Sequence, residues 1–304
     1  MSEVLTLDDG AKIAYRTYGS NTTHFPLVMI NGLSAIMQDW DELAQAFAET
    51  RKAVVMLDHR GIGESYLAED QDYTIMMMAN DVLSLLRHLN LTRVQLLGFS
   101  MGGLVTQAIL THPRAKATGK NFIEIDGLQI YGAVLAATFT KLPRSEFRPD
   151  KLSTPQGVSR EERDRIITRT MLEFQYDKSV VGKGGILDAK MQRRIEESLH
   201  SRRPQIVITQ QAGAISQYDS REALKSLPKH LPVLLIQGKR DRMVNYEESQ
   251  TIQECIPGAQ RYIPPQGEEY GHMWFDYYDL HRSWVVPICE FLDQPAIPSP
   301  ASRI

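Results

Sequence analysis

The sequence predicts an α/β protein in which a mostly parallel central sheet is flanked by helices and interrupted by an inserted, mainly helical segment. Three observations carry that prediction. Short apolar runs alternate with segments of helical period, and turn residues fall between them. The runs Leu27 to Ile30 and Ala53 to Leu57 are apolar throughout, as strands covered on both faces are. From about Lys141 to Asp219 the alternation stops: the chain is charged, helical in pattern and without a convincing central strand.

The elements follow in order. Val4 to Asp8 and Lys12 to Tyr18, joined through Asp9-Gly10, form an N-terminal hairpin, because Asp-Gly accepts the positive φ of a tight turn. Leu27 to Ile30 and Ala53 to Leu57 are buried strands. Between them, Trp40, Leu43 and Phe47 place one apolar face on a helix over 39–49. Ile75, Met78, Val82, Leu85, Leu86 and Leu89 do the same for a second crossover helix, with the run Met76 to Met78 read as packing filler. Val94 to Gly98 is a strand, followed by a helix from about Ser100 to Thr111 that stops near Pro113. Ala133 to Ala137 and Val233 to Gln237 are further strands. A helix over 246–256, a short strand near Arg261 to Ile263 and a closing helix from about Phe275 to Leu292, kinked or divided at Pro287, complete the series. The expected division is a core of 1–140 and 220–304 with a helical cap over 141–219.

Composition narrows the function. The 304 residues carry 34 basic and 37 acidic side chains, a net charge of −3, which argues against a general nucleic-acid binder. The longest apolar stretches fall far short of the ~18 residues a membrane helix needs. The start, MSEVLTLDDG, lacks the basic and apolar regions of a signal peptide, so a cytoplasmic setting is expected. Only Cys255 and Cys289 occur, without metal-ligand spacing, and no dinucleotide fingerprint or phosphate-binding loop is present. No cofactor and no metal are expected, and the partner expected is a small molecule. The segment 141–220 carries 15 basic against 11 acidic side chains while the rest carries 19 against 26, so a basic cap faces an acidic core. That pattern suits either a solvated face or an anionic substrate.

Gly98-Phe99-Ser100-Met101-Gly102 fits G-x-S-x-G, and it lies between an apolar strand and a helical pattern. That setting holds a serine hydroxyl above a sheet edge on a sharp turn, beside the free amides of a helix start. A serine nucleophile needs a base, and the base needs an orienting acid. Asp241 follows the strand Val233 to Gln237 through Gly238-Lys239-Arg240, at the carboxyl edge where open α/β sheets bind ligands. His272, in Glu268-Glu269-Tyr270-Gly271-His272, comes between the last strand and the last helix and reaches the same edge. Ser100, Asp241 and His272 therefore stand in the chain order nucleophile, acid, base.

With these motifs the chain resembles an α/β-hydrolase-fold serine hydrolase over nearly its whole length. Asn31-Gly32-Leu33-Ser34 resembles the family's oxyanion loop, and Asp58 to Ser65 resembles the turn after its next strand. The resemblance implies that the backbone amides of Leu33 and Met101 form the oxyanion hole. It also implies that Gly32, Ser34 and Trp274 contact substrate. Asn31 stands where many members have histidine, so the loop's supporting hydrogen bonds must differ. Asn121 to Ile130, around Asp126-Gly127, is an extra β-like arm, read as a surface hairpin, with self-association into a homodimer or a place at the pocket's border as its alternative uses.

The reaction implied is hydrolysis of a carboxylic ester or lactone through an acyl-enzyme. Thioesterase, carbon-carbon hydrolase and perhydrolase chemistry use the same machinery, and a non-catalytic receptor retains the same fold. The ending Ser302-Arg303-Ile304, behind a Pro-rich tail, resembles a weak peroxisomal address, with an incidental extended tail as the alternative.

Overall fold

Successive residues of a strand point to opposite faces, and the central strands of this chain use both. In β3 (Leu27–Ile30), Val28 and Ile30 enter one apolar core, while Leu27 and Met29 enter a second on the other side of the sheet. β4 (Val54–Leu57) divides in the same way, Val55 and Leu57 against Val54 and Met56. The continuous apolar runs of the sequence are thus explained by two-sided cover. The structure is a computed structural model and describes residues 2–20, 24–50, 53–67, 73–117, 121–148, 155–256 and 258–294. The terminal tripeptide 302–304 lies outside the described residues.

β1 (Glu3–Thr6) and β2 (Lys12–Tyr18) form the antiparallel hairpin, and β2 pairs antiparallel with β4. Parallel pairing then joins β4 to β3, β3 to β5 (Arg93–Phe99), and β5 to β8 (Leu128–Ala136). It continues from β8 to β9 (Val233–Ile236) and on to β10 (Gln260–Arg261). β6 (Lys116–Ala117) and β7 (Ile123–Ile125) attach antiparallel along the first residues of β8.

α2 (Ile75–His88) and α3 (Met101–Leu110) contribute to the first core. α1 (Asp41–Glu49) and α9 (Val286–Asp293) contribute to the second. Between β8 and β9 the described residues form only helices: α4 (Arg160–Glu173), α5 (Ile186–Leu199), α6 (Gln205–Ser216) and α7 (Arg221–Leu224). α8 (Glu247–Cys255) follows β9.

Two expected elements differ. The arm's second strand is no separate appendage: it runs on as β8, a single nine-residue strand whose burial alternates at its start and becomes continuous from Gly132. Gln129, Tyr131 and Gly132 interrupt the apolar run and hide that continuity in the sequence. The closing helix is replaced by a 3-10 turn (Trp274–Asp276), a π-helical segment (Leu280–Val285) and α9. The register change falls just before Pro287. Proline has no N–H to give the carbonyl four residues back, and that carbonyl, of Ser283, accepts the Tyr262 hydroxyl instead at 2.6 Å.

Candidate active site

Ser100 sits between β5 and α3 with φ 52° and ψ −120°, a strained conformation for a residue with a side chain. Its backbone is over-determined. The amide donates to Ala136 O at 2.9 Å, and its carbonyl accepts from Gly103 N at 2.9 Å and from Thr138 Oγ1 at 2.6 Å. The two glycines of the motif are required by close approach. A Cβ on Gly98 would lie 2.3 Å from Thr106 Oγ1, and one on Gly102 would lie 2.0 Å from Ile30 O. The turn is therefore packed against the end of β3, and Gly32 abuts it in turn, 3.2 Å from its ideal Cβ to Ser100 Cβ. Gly32 thus stands beside Ser100 with Leu33 next in the chain, and Met101 N, the first amide of α3, lacks an intrahelical carbonyl one turn back.

Asp241 and His272 are brought together by two loops that zip along their backbones. Lys239 N donates to Glu268 O at 2.8 Å and Arg240 N to Tyr270 O at 3.1 Å. Gly238 permits this closeness, since a Cβ there would lie 1.9 Å from Tyr270 O. Asp241 Oδ2 then lies 2.7 Å from His272 Nδ1, with both residues buried. The carboxylate also accepts Gln237 Nε2 on Oδ2, and Met243 N and Val244 N on Oδ1, each at 2.9 Å. A carboxylate with four donors is an acceptor throughout, so the proton between the pair belongs to His272 Nδ1 and the Nε2 lone pair is free to act as a base. The imidazole ring packs 4.7 Å from that of Phe99, the residue before Ser100, which brings the His272 loop to the serine turn.

The loop after β3 rests on Asn31 and on the turn that begins at Asp58, through individual hydrogen bonds that the sequence does not give. Asn31 donates through Nδ2 to Leu57 O at 3.1 Å, and its carbonyl accepts His59 Nε2 at 3.0 Å. His59 is fully enclosed, and burial lowers its pKa to about 4, so it is neutral with its proton on Nε2. Asp58 accepts Met37 N at 2.7 Å and Glu64 N at 2.8 Å. Burial pushes its pKa up to about 6, only partly opposed by those two amides. These are the substitute supports that Asn31 requires. The only local signal for them is the Asp58 to Gly63 turn, where a Cβ on Gly63 would meet the Asp58 carboxylate at 2.2 Å.

The helical segment also reaches the site. Arg194, buried on α5, makes a two-point pair with Asp276, Nε to Oδ2 and Nη2 to Oδ1 both at 2.8 Å. Tyr176 adds its hydroxyl to Asp276 at 2.5 Å. Burial alone would raise the Asp276 carboxyl, but Arg194 outweighs it and holds the group below the ordinary carboxylate range. Asp276 is four residues beyond His272, so this pair anchors the histidine loop from the helical segment.

Ser34 lies in the loop after β3, where its amide donates to Gln211 Oε1 at 2.8 Å. Trp274 lies in the second apolar core. It is fully buried, with its indole 5.4 Å from the Phe275 ring and 4.9 Å from that of Trp284, and the expected substrate contact is corrected to core packing.

Comparison with known proteins agrees with this architecture. A family model for the alpha/beta hydrolase fold matches residues 26–115, the segment that runs from β3 through the serine turn and α3. A hydrolase from Pseudomonas aeruginosa superposes with a TM-score of 0.73 at 21% identity, over 96% of this chain and 98% of its own. An esterase from Exiguobacterium antarcticum superposes at 0.71 and 22%, over 96% and 99%. The chain has the α/β-hydrolase fold. Among curated sequences, a Haemophilus influenzae protein that carries an esterase/lipase name is 39% identical over 83 residues, 27% of this chain and 28% of that protein. A 3-hydroxybutyrate-oligomer hydrolase of Cupriavidus necator is 30% identical over 105 residues, 34% of this chain and 36% of that protein. These matches span about a third of each relative's length.

Proposed function

We propose that the chain is a serine hydrolase that cleaves a carboxylic ester or lactone of a small to medium acyl substrate. The observation that carries this reading is the 2.7 Å bond from His272 Nδ1 to Asp241, on a loop packed against the strained turn of Ser100. His272 Nε2 takes the proton of Ser100 Oγ as that oxygen attacks the carbonyl carbon. The amides of Leu33 and Met101 receive the negative charge of the tetrahedral intermediate, where one such donor is worth about 3 kcal/mol of barrier. The intermediate collapses, the alkoxide leaves with the proton from His272, and the acyl group stays on Ser100. Water, deprotonated by the same Nε2, releases the acid and restores the hydroxyl. Asp241 keeps the proton on Nδ1 and stabilises the imidazolium at each transfer. In this reading 141–219 is a cap over the site. The names of the Haemophilus influenzae and Cupriavidus necator relatives support ester chemistry, while other curated relatives are named for peptidase or carbamate hydrolysis.

The test is a p-nitrophenyl ester series from acetate to long acyl chains, read for wild type and Ser100→Ala. Serine-dependent turnover is expected, and its chain-length optimum sizes the acyl site. Equal rates in both proteins would refute the role of Ser100.

A further inference from the structure

The oxyanion loop is held from the cap side by groups that do not themselves reach the reacting atoms. Gly32 O accepts Ala35 N at 3.3 Å, closing a four-residue turn whose third position, Ser34, has φ 63° while Leu33 has no positive φ. This is the arrangement of a type II turn, where glycine is the usual occupant of the third position. A serine there is strained and persists only when its surroundings fix it. The fixing groups come from α6 and the segment just before it. Gln211 Oε1 accepts Ser34 N at 2.8 Å, and Arg203 Nη1 donates to Ser34 O at 2.5 Å. Arg203 also binds the Asp39 carboxylate through both terminal nitrogens, at 3.0 and 2.8 Å.

The orientation of Gln211 is set by its other end. The Tyr73 hydroxyl donates to Arg60 O at 3.0 Å, so toward Gln211 it must accept, and Gln211 Nε2 donates to it at 3.2 Å. The amide oxygen is left facing Ser34. Gln211 is fully buried, so no water competes for these bonds.

We infer that Gln211, assisted by Arg203, is a positioning residue that aims the Leu33 amide at the oxyanion by holding the peptide groups of Ser34. The inference rests on the proposed acyl-enzyme reading. Leu33 N–H shares its peptide plane with Gly32 C=O, which the Ala35 N bond holds in the turn that Ser34 completes, so a relaxed Ser34 opens that turn and swings the donor off target. A misaimed donor weakens the transition state more than the bound ester.

The experiment compares wild type, Gln211→Met, Arg203→Lys and Gln211→Met with Ser34→Gly on one p-nitrophenyl ester, with inhibition by an alkyl boronic acid as a tetrahedral analogue. Gln211→Met is expected to lower kcat about tenfold with KM changed less than about twofold, and to weaken the boronic acid in parallel. Arg203→Lys is expected to act in the same direction. Adding Ser34→Gly should restore part of kcat, since glycine takes positive φ without strain. Wild-type kcat in Gln211→Met and Arg203→Lys, or a rise in KM alone, would overturn the inference. A fluorophosphonate applied to wild type separates the two levels. Labelled Ser100 with unchanged Gln211→Met kinetics rejects only the positioning role, whereas unlabelled Ser100 rejects the reading of the site and this inference with it.

Discussion

The carbonyl oxygen of Ile30 lies where a side chain on Gly102 would begin, 2.0 Å from an ideal Cβ. The serine turn and the end of β3 are thus in backbone contact, and no side chain can yield to relieve a substitution. Gly102→Ala is expected to lose about 3 kcal/mol or more, as severe overpacking does. Gly213, inside α6, has open space around its Cβ position, and Gly213→Ala should gain about 0.5–1 kcal/mol. Urea denaturation of both variants checks the contrast; equal effects would contradict the packing argument.

Asp241→Asn leaves the size of the side chain unchanged but turns an acceptor into a partial donor. Gln237 Nε2 and His272 Nδ1 both donate to Oδ2 of Asp241, while two backbone amides occupy Oδ1. The amide nitrogen must therefore face the histidine, whose proton then moves to Nε2 and removes the base. A fall of about 10³- to 10⁴-fold in kcat is expected, with a smaller change in KM. Steady-state kinetics on the best ester decides it, and a loss below tenfold would refute the tautomer role.

The neighbours Asp58 and His59 give opposite pH dependences. An unfolded His59 takes its proton near pH 6.5, while the folded one waits until about pH 4, so acidification through that window favours the unfolded chain. Asp58 takes its proton near pH 6 when folded and near 3.8 when unfolded, so the same acidification favours the native state through it. In His59→Gln only the Asp58 contribution remains. The stability of wild type relative to that variant should therefore fall by about 3 kcal/mol from pH 7 to pH 4. Parallel stability curves for the two proteins would contradict the neutral buried histidine.

Arg194→Met leaves the Asp276 carboxylate buried with Tyr176 and a distant Lys190, 3.8 Å away, as its remaining support. A cost of about 3–5 kcal/mol is expected, because an uncompensated charge is left in the interior. Adding Asp276→Asn should recover part of it. A double-mutant cycle in urea measures the coupling, and additive effects would show that the pair does not link α5 to the histidine loop.

Much of this was legible along the chain, for identifiable reasons. Strands such as Leu27–Ile30 announce themselves because both faces are covered, and the setting of Ser100 because two glycines at fixed spacing are required by contacts only 2.0–2.5 Å from their missing side chains. Asp241 and His272 were recoverable from their order and from the strands that precede them. The supports were not. Ser34 meets Gln211 across 177 residues, and Arg194 meets Asp276 across 82. A lone polar residue on a helix carries no local sign of so distant a partner. Trp274 misled because proximity to His272 in sequence says nothing of which way an indole turns. The closing helix misled because the carbonyl that Pro287 leaves unused finds its partner, Tyr262, on another element.

The central claim is that Ser100 becomes acylated with His272 as its base. Intact-protein mass spectrometry after reaction with a fluorophosphonate, followed by peptide mapping, tests it most directly. A single adduct on Ser100 in wild type, absent from Ser100→Ala and formed at least about 100-fold more slowly in His272→Ala, is the predicted result. No adduct, or an adduct on another residue that survives Ser100→Ala, would contradict it.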